Sequence, residues 1–154
     1  MDSQLSVTHF RILLADDDKD DRFFFKKALN SLPGSYSLEM VADGEELMDY
    51  LNKNCHHLPD VIFLDINMPR KNGIECLEEI KQDERLCNVP VVIYSTSGFN
   101  STAKALYEQG AHYYFQKCDY FELVTSLEAI LTALKKKPER PSASNFLFRL
   151  QVGK

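Results

Sequence analysis

An α/β fold is what the sequence predicts, a parallel sheet with helices covering both faces, and three observations predict it. Short apolar runs alternate five times with longer stretches whose apolar residues recur at helical spacing. Strands linked by helical crossovers run parallel. Runs such as Val61 to Leu64 carry no polar alternation, the mark of a strand buried on both faces. At 154 residues, 44% hydrophobic and 27% charged, the chain suits one domain with a core of its own.

The first apolar run, Phe10 to Ala15, ends in Asp16, Asp17 and Asp18. A helix follows in which Phe24, Phe25, Ala28, Leu29 and Leu32 share one stripe, and the acids from Asp18 to Asp21 suit the positive end of its dipole. Pro33-Gly34 stops it. Residues 36–42 read as a second strand, and Asp43-Gly44 opens a helix carrying Leu47, Met48 and Leu51. The central run ends in Asp65, and Gly73 begins a helix through Ile74, Leu77 and Ile80. Residues 90–94 are strand-like and end in Ser95, Thr96 and Ser97. The helix after Ser101 has only a thin apolar seam of Ala103, Leu106 and Tyr107, so its hold on the core is expected to be weak. Residues 113–116 form the fifth strand, ending at Lys117. A long helix from Asp119 or Tyr120 carries Leu123, Val124, Leu127, Ile130, Leu131 and Leu134 in one stripe.

Composition removes several classes of function. A net charge of -5 argues against general polyanion binding. No apolar run approaches the ~18 residues of a membrane span, and the start Met1-Asp2-Ser3-Gln4 lacks the basic and apolar parts of a signal peptide. The expectation is therefore a cytoplasmic protein. Cys55, Cys76, Cys87 and Cys118 show no C-x-x-C pairing and read as reduced thiols. His56-His57 lack partners at metal-ligand spacing and read as loop residues before Pro59.

In open parallel sheets, functional groups gather beyond the carboxyl ends of the strands. That rule brings Asp16, Asp17, Asp65, Ser95 and Lys117 to one rim. Carboxylates held close together repel, and a hard divalent cation such as Mg2+, which takes oxygen ligands and pairs with phosphate, is the natural remedy. Phosphoryl transfer also needs positive charge and hydrogen-bond donors on the other phosphoryl oxygens. Lys117 and Ser95 are of that kind, which leaves Asp65 as the nucleophile that would form an acyl phosphate.

Leu13-Leu14-Ala15-Asp16-Asp17, then Asp65-Ile66-Asn67-Met68-Pro69, then Ser95, then Lys117 resembles the receiver domain of two-component response regulators, over about residues 11–136. The resemblance implies a flavodoxin-like sheet of five parallel strands in the order 2-1-3-4-5. It implies that Asp65 accepts a phosphoryl group from a histidine kinase or a histidine phosphotransfer protein, with Mg2+ as cofactor. Asp17 and Asp65 would ligate the ion through side chains and Asn67 through its carbonyl, with Asp16 acting directly or through water. Lys117 would pair with phosphate, and Ser95 and Tyr114 would form the switch. The domain so implied signals to a downstream protein and assists its own phosphorylation and dephosphorylation, without nucleic acid or membrane as partner. A homodimer is compatible with it. Where the family usually has proline after the lysine, Cys118 stands here, so the loop is expected to be trans and rearranged or else strained. That departure, the Ser95-Thr96-Ser97 run and the chain beyond the last helix are similar to stand-alone, chemotaxis-regulator-like receivers serving phytochrome-type kinases.

Two other readings stand beside it. A Mg2+-dependent phosphatase of haloacid-dehalogenase type also uses an aspartyl nucleophile but wants an acid two residues later, where Asn67 stands. A receiver-like interaction module that never takes phosphate is the other. Arg22 and Phe23 lie off the packed stripe and are candidates to meet a kinase helix. The receiver is expected to occupy residues 1–137, and 138–154 to form an extension too short for an output domain. Within it Phe146, Phe148, Leu150 and Val152 alternate with their neighbours at strand period, so the segment is expected to join a sheet edge, its own or a partner's, or to line a groove.

Overall fold

The computed structural model describes residues 9–97, 101–136 and 139–148, and the side chain of Phe148 lies outside that set. In chain order the elements are β1 (Phe10–Ala15), α1 (Lys19–Asn30), β2 (Tyr36–Val41), α2 (Gly44–Lys53), β3 (Val61–Leu64) and α3 (Gly73–Gln82). Then follow β4 (Val91–Ser95), α4 (Ser101–Glu108), β5 (Tyr113–Gln116), α5 (Tyr120–Lys136) and, after a 3-10 turn at Ala143–Asn145, β6 (Leu147–Phe148). The five expected strands stand in the expected order, and β6 adds a sixth, giving β2-β1-β3-β4-β5-β6. Every pairing is parallel, including β5 with β6 at Tyr114↔Leu147 and Phe115↔Phe148.

The central strands β1, β3 and β4 bury both faces because an apolar layer covers each side of the sheet, while the border strand β2 stays partly exposed. Leu13, Ile62, Leu64 and Ile93 point to the side covered by α2, α3 and α4. Ile12, Leu14, Val61, Phe63 and Val92 point to the side covered by α1 and α5. Polar caps set where the helices begin. The Asp18 side chain accepts from the backbone N–H groups of Asp20 and Asp21, and Asn72 and Glu75 form a reciprocal capping box at the start of α3. Gly73 has a further reason. A Cβ there would lie 2.2 Å from the backbone oxygen of Asp65, so only glycine lets α3 start directly against the end of β3.

One local expectation changes, and another is decided between its two alternatives. Phe24, expected in the packed stripe of α1, is 43% exposed, because it sits at the seam between α1 and α5, edge-on to Phe23 and tilted against Tyr120. The Lys117–Cys118 bond is trans, as are all peptide bonds among the described residues. The remaining α1 stripe of Phe25, Ala28 and Leu29 is buried as its spacing requires.

Candidate functional site: a carboxylate cluster around a buried lysine

Strand register builds the site. Ala15 and Leu64 are partners across β1 and β3, so Asp16 and Asp65 emerge side by side at the carboxyl edge, where the Asp65 N–H donates to the Ala15 carbonyl at 3.0 Å. One strand further, Ser95 pairs with Gln116, and the Lys117 N–H donates to the Ser95 carbonyl at 2.7 Å. Backbone pairing thus brings together residues separated by a hundred positions of sequence.

Side chains then close the cluster. Carboxylate oxygens from Asp16, Asp17 and Asp65 lie within 4.8 Å of one another. Asp16 and Asp65 are buried and Asp17 is exposed. The Lys117 ammonium sits 2.7 Å from Asp21, 2.8 Å from Asp16 and 3.4 Å from Asp65, and 5.2 Å from the centre of the Tyr94 ring. Burial pushes the Asp65 carboxyl up to about 6, with the neighbouring charge of Asp16 adding and Lys117 opposing. Burial likewise raises Asp16. For Lys117 burial alone would favour the neutral amine, but its contacts with Asp16 and Asp21 outweigh this and hold the proton more firmly than usual.

One lysine is too little charge for this many acids. Asp16 Oδ2 is buried and, although 2.8 Å from the ammonium, meets no donor in hydrogen-bond geometry. An orphaned carboxylate oxygen beside two further carboxylates is an all-oxygen donor set suited to a hard divalent cation. Asn67 folds its backbone over the Asp65 carboxylate, its N–H donating to Asp65 Oδ1 at 3.4 Å.

The hydroxyl side of the rim is equally ordered. Ser95 is fully buried, and its Oγ accepts from the Ser97 N–H at 3.2 Å. Tyr114 is buried, and its hydroxyl donates to the Ser97 carbonyl at 2.8 Å. Asp21, which the sequence accounts for only as an acid suited to the dipole of α1, also joins the cluster through Lys117. Only the fold shows that the third residue of α1 leans back over Lys117.

The surface residues divide. Phe23 is 60% exposed, and Phe121, not singled out from sequence, is 80% exposed. Arg22 is half-buried, and its guanidinium donates to the Asp16 carbonyl at 2.7 Å. Phe146, expected on a partner surface, is instead fully buried within its own chain between Tyr107 and Tyr114, at ring distances of 5.1 and 6.1 Å. The backbone of Phe148 pairs with β5, while its side chain is among the features outside the described set.

Comparison with known proteins agrees with this geometry. Response regulator Rcp1 of Synechocystis sp. is 32% identical over 126 residues, covering 77% of this chain and 86% of Rcp1. The crystal structure of the Mn(2+)-bound form of Rcp1 superposes with a TM-score of 0.74 at 29% identity, over 86% of this chain and 99% of that one. The phosphorylated cyanobacterial phytochrome response regulator RcpA gives 0.76 at 31% identity, over 88% and 100%. The response regulator receiver domain model matches residues 12–128, the span from β1 into α5 that carries the whole rim. On its strand order, its acidic rim and that match, the chain belongs to the response regulator receiver domains, the phosphorelay signalling family.

Proposed function

We propose that Asp65 is the phosphoacceptor of this receiver domain. A carboxylate oxygen of Asp65 attacks phosphorus in line as the phosphorus–nitrogen bond of a phosphohistidine donor breaks. The imidazole leaves with the bonding pair and takes up a proton, and an aspartyl phosphate remains. Water attacking phosphorus later releases inorganic phosphate and restores the carboxylate. A divalent cation, Mg2+ in this reading, supplies charge neutralisation on the phosphoryl oxygens when bound. Asp16, Asp17 and Asp65 would hold it with side-chain oxygens, and Asn67 with its carbonyl. Lys117, freed from Asp65, pairs with the incoming phosphoryl group, and the Ser95 hydroxyl donates to another of its oxygens. Tyr114 is the switch aromatic.

The observation that carries this reading is the Lys117 ammonium held between Asp16 and Asp65 at the sheet's carboxyl edge. Asn67, where a dehalogenase-type phosphatase needs its second acid, supports transfer over turnover. The chain assists its own phosphorylation and dephosphorylation with these residues. Its donor is a histidine kinase or phosphotransfer protein whose helix meets the exposed Phe23 and Phe121 beside the site. A phytochrome-type kinase is favoured by the likeness to RcpA. The working compartment is the cytoplasm, and partners are proteins rather than nucleic acid, consistent with a net charge of -5. No helix among the described residues is long and apolar enough to cross a membrane. Residues 1–137 form the receiver and 138–154 an extension that β6 ties to its edge.

Incubation with acetyl phosphate and Mg2+, followed by intact mass, tests the assignment. Uptake of one phosphoryl group that Asp65→Asn abolishes is the expected result. Continuous hydrolysis of phosphate esters without a stable adduct would overturn it.

A further inference from the structure

The segment 139–148 does more than lengthen the chain. It leaves the end of α5, crosses α4 and enters the sheet beside β5. Arg140 donates to the carbonyls of Tyr107 and Ala111, and its guanidinium stacks 3.9 Å above the Tyr107 ring. The Tyr107 hydroxyl in turn donates to the Pro141 carbonyl at 2.9 Å. These contacts seat Phe146 against Tyr114, whose own N–H donates to the Phe146 carbonyl at 2.9 Å.

From Phe146 a continuous chain of contacts leads to the rim. The Tyr114 hydroxyl donates to the Ser97 carbonyl, and the Ser97 N–H donates to Ser95 Oγ. A serine hydroxyl has one hydrogen to give and two lone pairs to receive with. Because Ser95 Oγ already receives from Ser97, its hydrogen remains for an acceptor. With Phe146 filling the outward side of β5, Tyr114 has no room to swing away from Ser97. We propose that Phe146 is a positioning residue for the phosphoacceptor site, holding Ser95 as a hydrogen donor to the phosphoryl group through Tyr114 and Ser97.

This inference rests on Asp65 being the phosphoacceptor, and it makes docking of the tail and phosphorylation reciprocally favourable. Whatever the docked tail does for the aspartyl phosphate, the aspartyl phosphate does for the docked tail. The test uses the full chain, acetyl phosphate and Mg2+, with phosphoryl occupancy and half-life read by intact mass and amide exchange read in parallel. Phe146→Ala should shorten the half-life or lower the occupancy about tenfold, the effect of ~1.4 kcal/mol of lost coupling. Phe146→Leu should restore most of it. Arg140→Gln, which loosens the segment from the surface without opening the core, should act in the same direction and serves where Phe146→Ala folds poorly. Phosphorylation of the wild-type chain should slow exchange at the Tyr114 amide, a change that a merely structural tail would not produce. Equal half-lives in wild type and Arg140→Gln, with Tyr114 exchange unmoved by phosphorylation, would overturn the inference while leaving the phosphoacceptor intact. Failure of the wild-type chain to take up a phosphoryl group would overturn both.

Discussion

Lys117 and its three acidic neighbours set the energetics of the rim. Breaking a buried ion pair by removing one partner leaves uncompensated charge, commonly at a cost of about 3–5 kcal/mol. In Lys117→Met the acids Asp16, Asp21 and Asp65 would face one another with no cation. The loss expected is about 3 kcal/mol in metal-free buffer, measured by urea unfolding, with part of it recovered on adding Mg2+, which binds the folded chain alone. Lys81 provides the pH dependence. Burial pushes its ammonium down to about 8, while it donates to the carbonyls of Cys87 and Val89 at 3.0 and 2.9 Å. Glu108, His112, Glu139 and Arg140 line the same recess. Between about pH 8 and the ordinary 10.5 the unfolded chain keeps a proton that the folded chain has released, so stability rises with pH across that window. Compared with Lys81→Met, wild type should gain stability from the lower to the upper end, and parallel denaturation curves at both ends would reject this.

Among the elements, α3 has the least freedom in where it starts. The 2.2 Å approach that a Cβ at Gly73 would make to the Asp65 backbone oxygen means Gly73→Ala must push helix and strand apart. A destabilisation of about 1–3 kcal/mol, together with loss of phosphoryl uptake, is expected, because the displaced atom belongs to Asp65, the proposed phosphoacceptor. Gly34→Ala, at φ +118° and far from the rim, should cost stability through backbone strain while leaving phosphoryl uptake intact, which separates the two effects. The elements also decide what sequence could reveal. Asp16, Asp65, Ser95 and Lys117 were legible because each closes an apolar run, and strand ends in a parallel sheet share one edge. Asp21 was not, since an acid early in a helix has a sufficient local reason to be there and its partner lies 96 residues away. Phe146 was legible as part of a segment with strand spacing, but it caps the 3-10 turn just before β6 and is a buried side chain, neither of which the spacing told. Period-2 spacing says which residues share a face, not whether that face meets its own chain or another's.

At the scale of the whole molecule, the order β2-β1-β3-β4-β5 puts Asp65, the proposed phosphoacceptor, at the end of the central strand, flanked by the strands that lead into Asp16 and end in Ser95. Rim, helices and tail are thereby one connected body around two apolar layers. A sheet built this way still has two borders where backbone groups face outward. On one of them β6 covers β5, pairing among the described residues over Leu147 and Phe148. Shortening the protein before Phe146 would uncover the aromatic stretch Tyr113–Gln116 as a bare border. Such a protein should self-associate on storage, visible as light scattering that rises with concentration, so that a segment joined to the signalling rim also keeps copies of the molecule from sticking to one another.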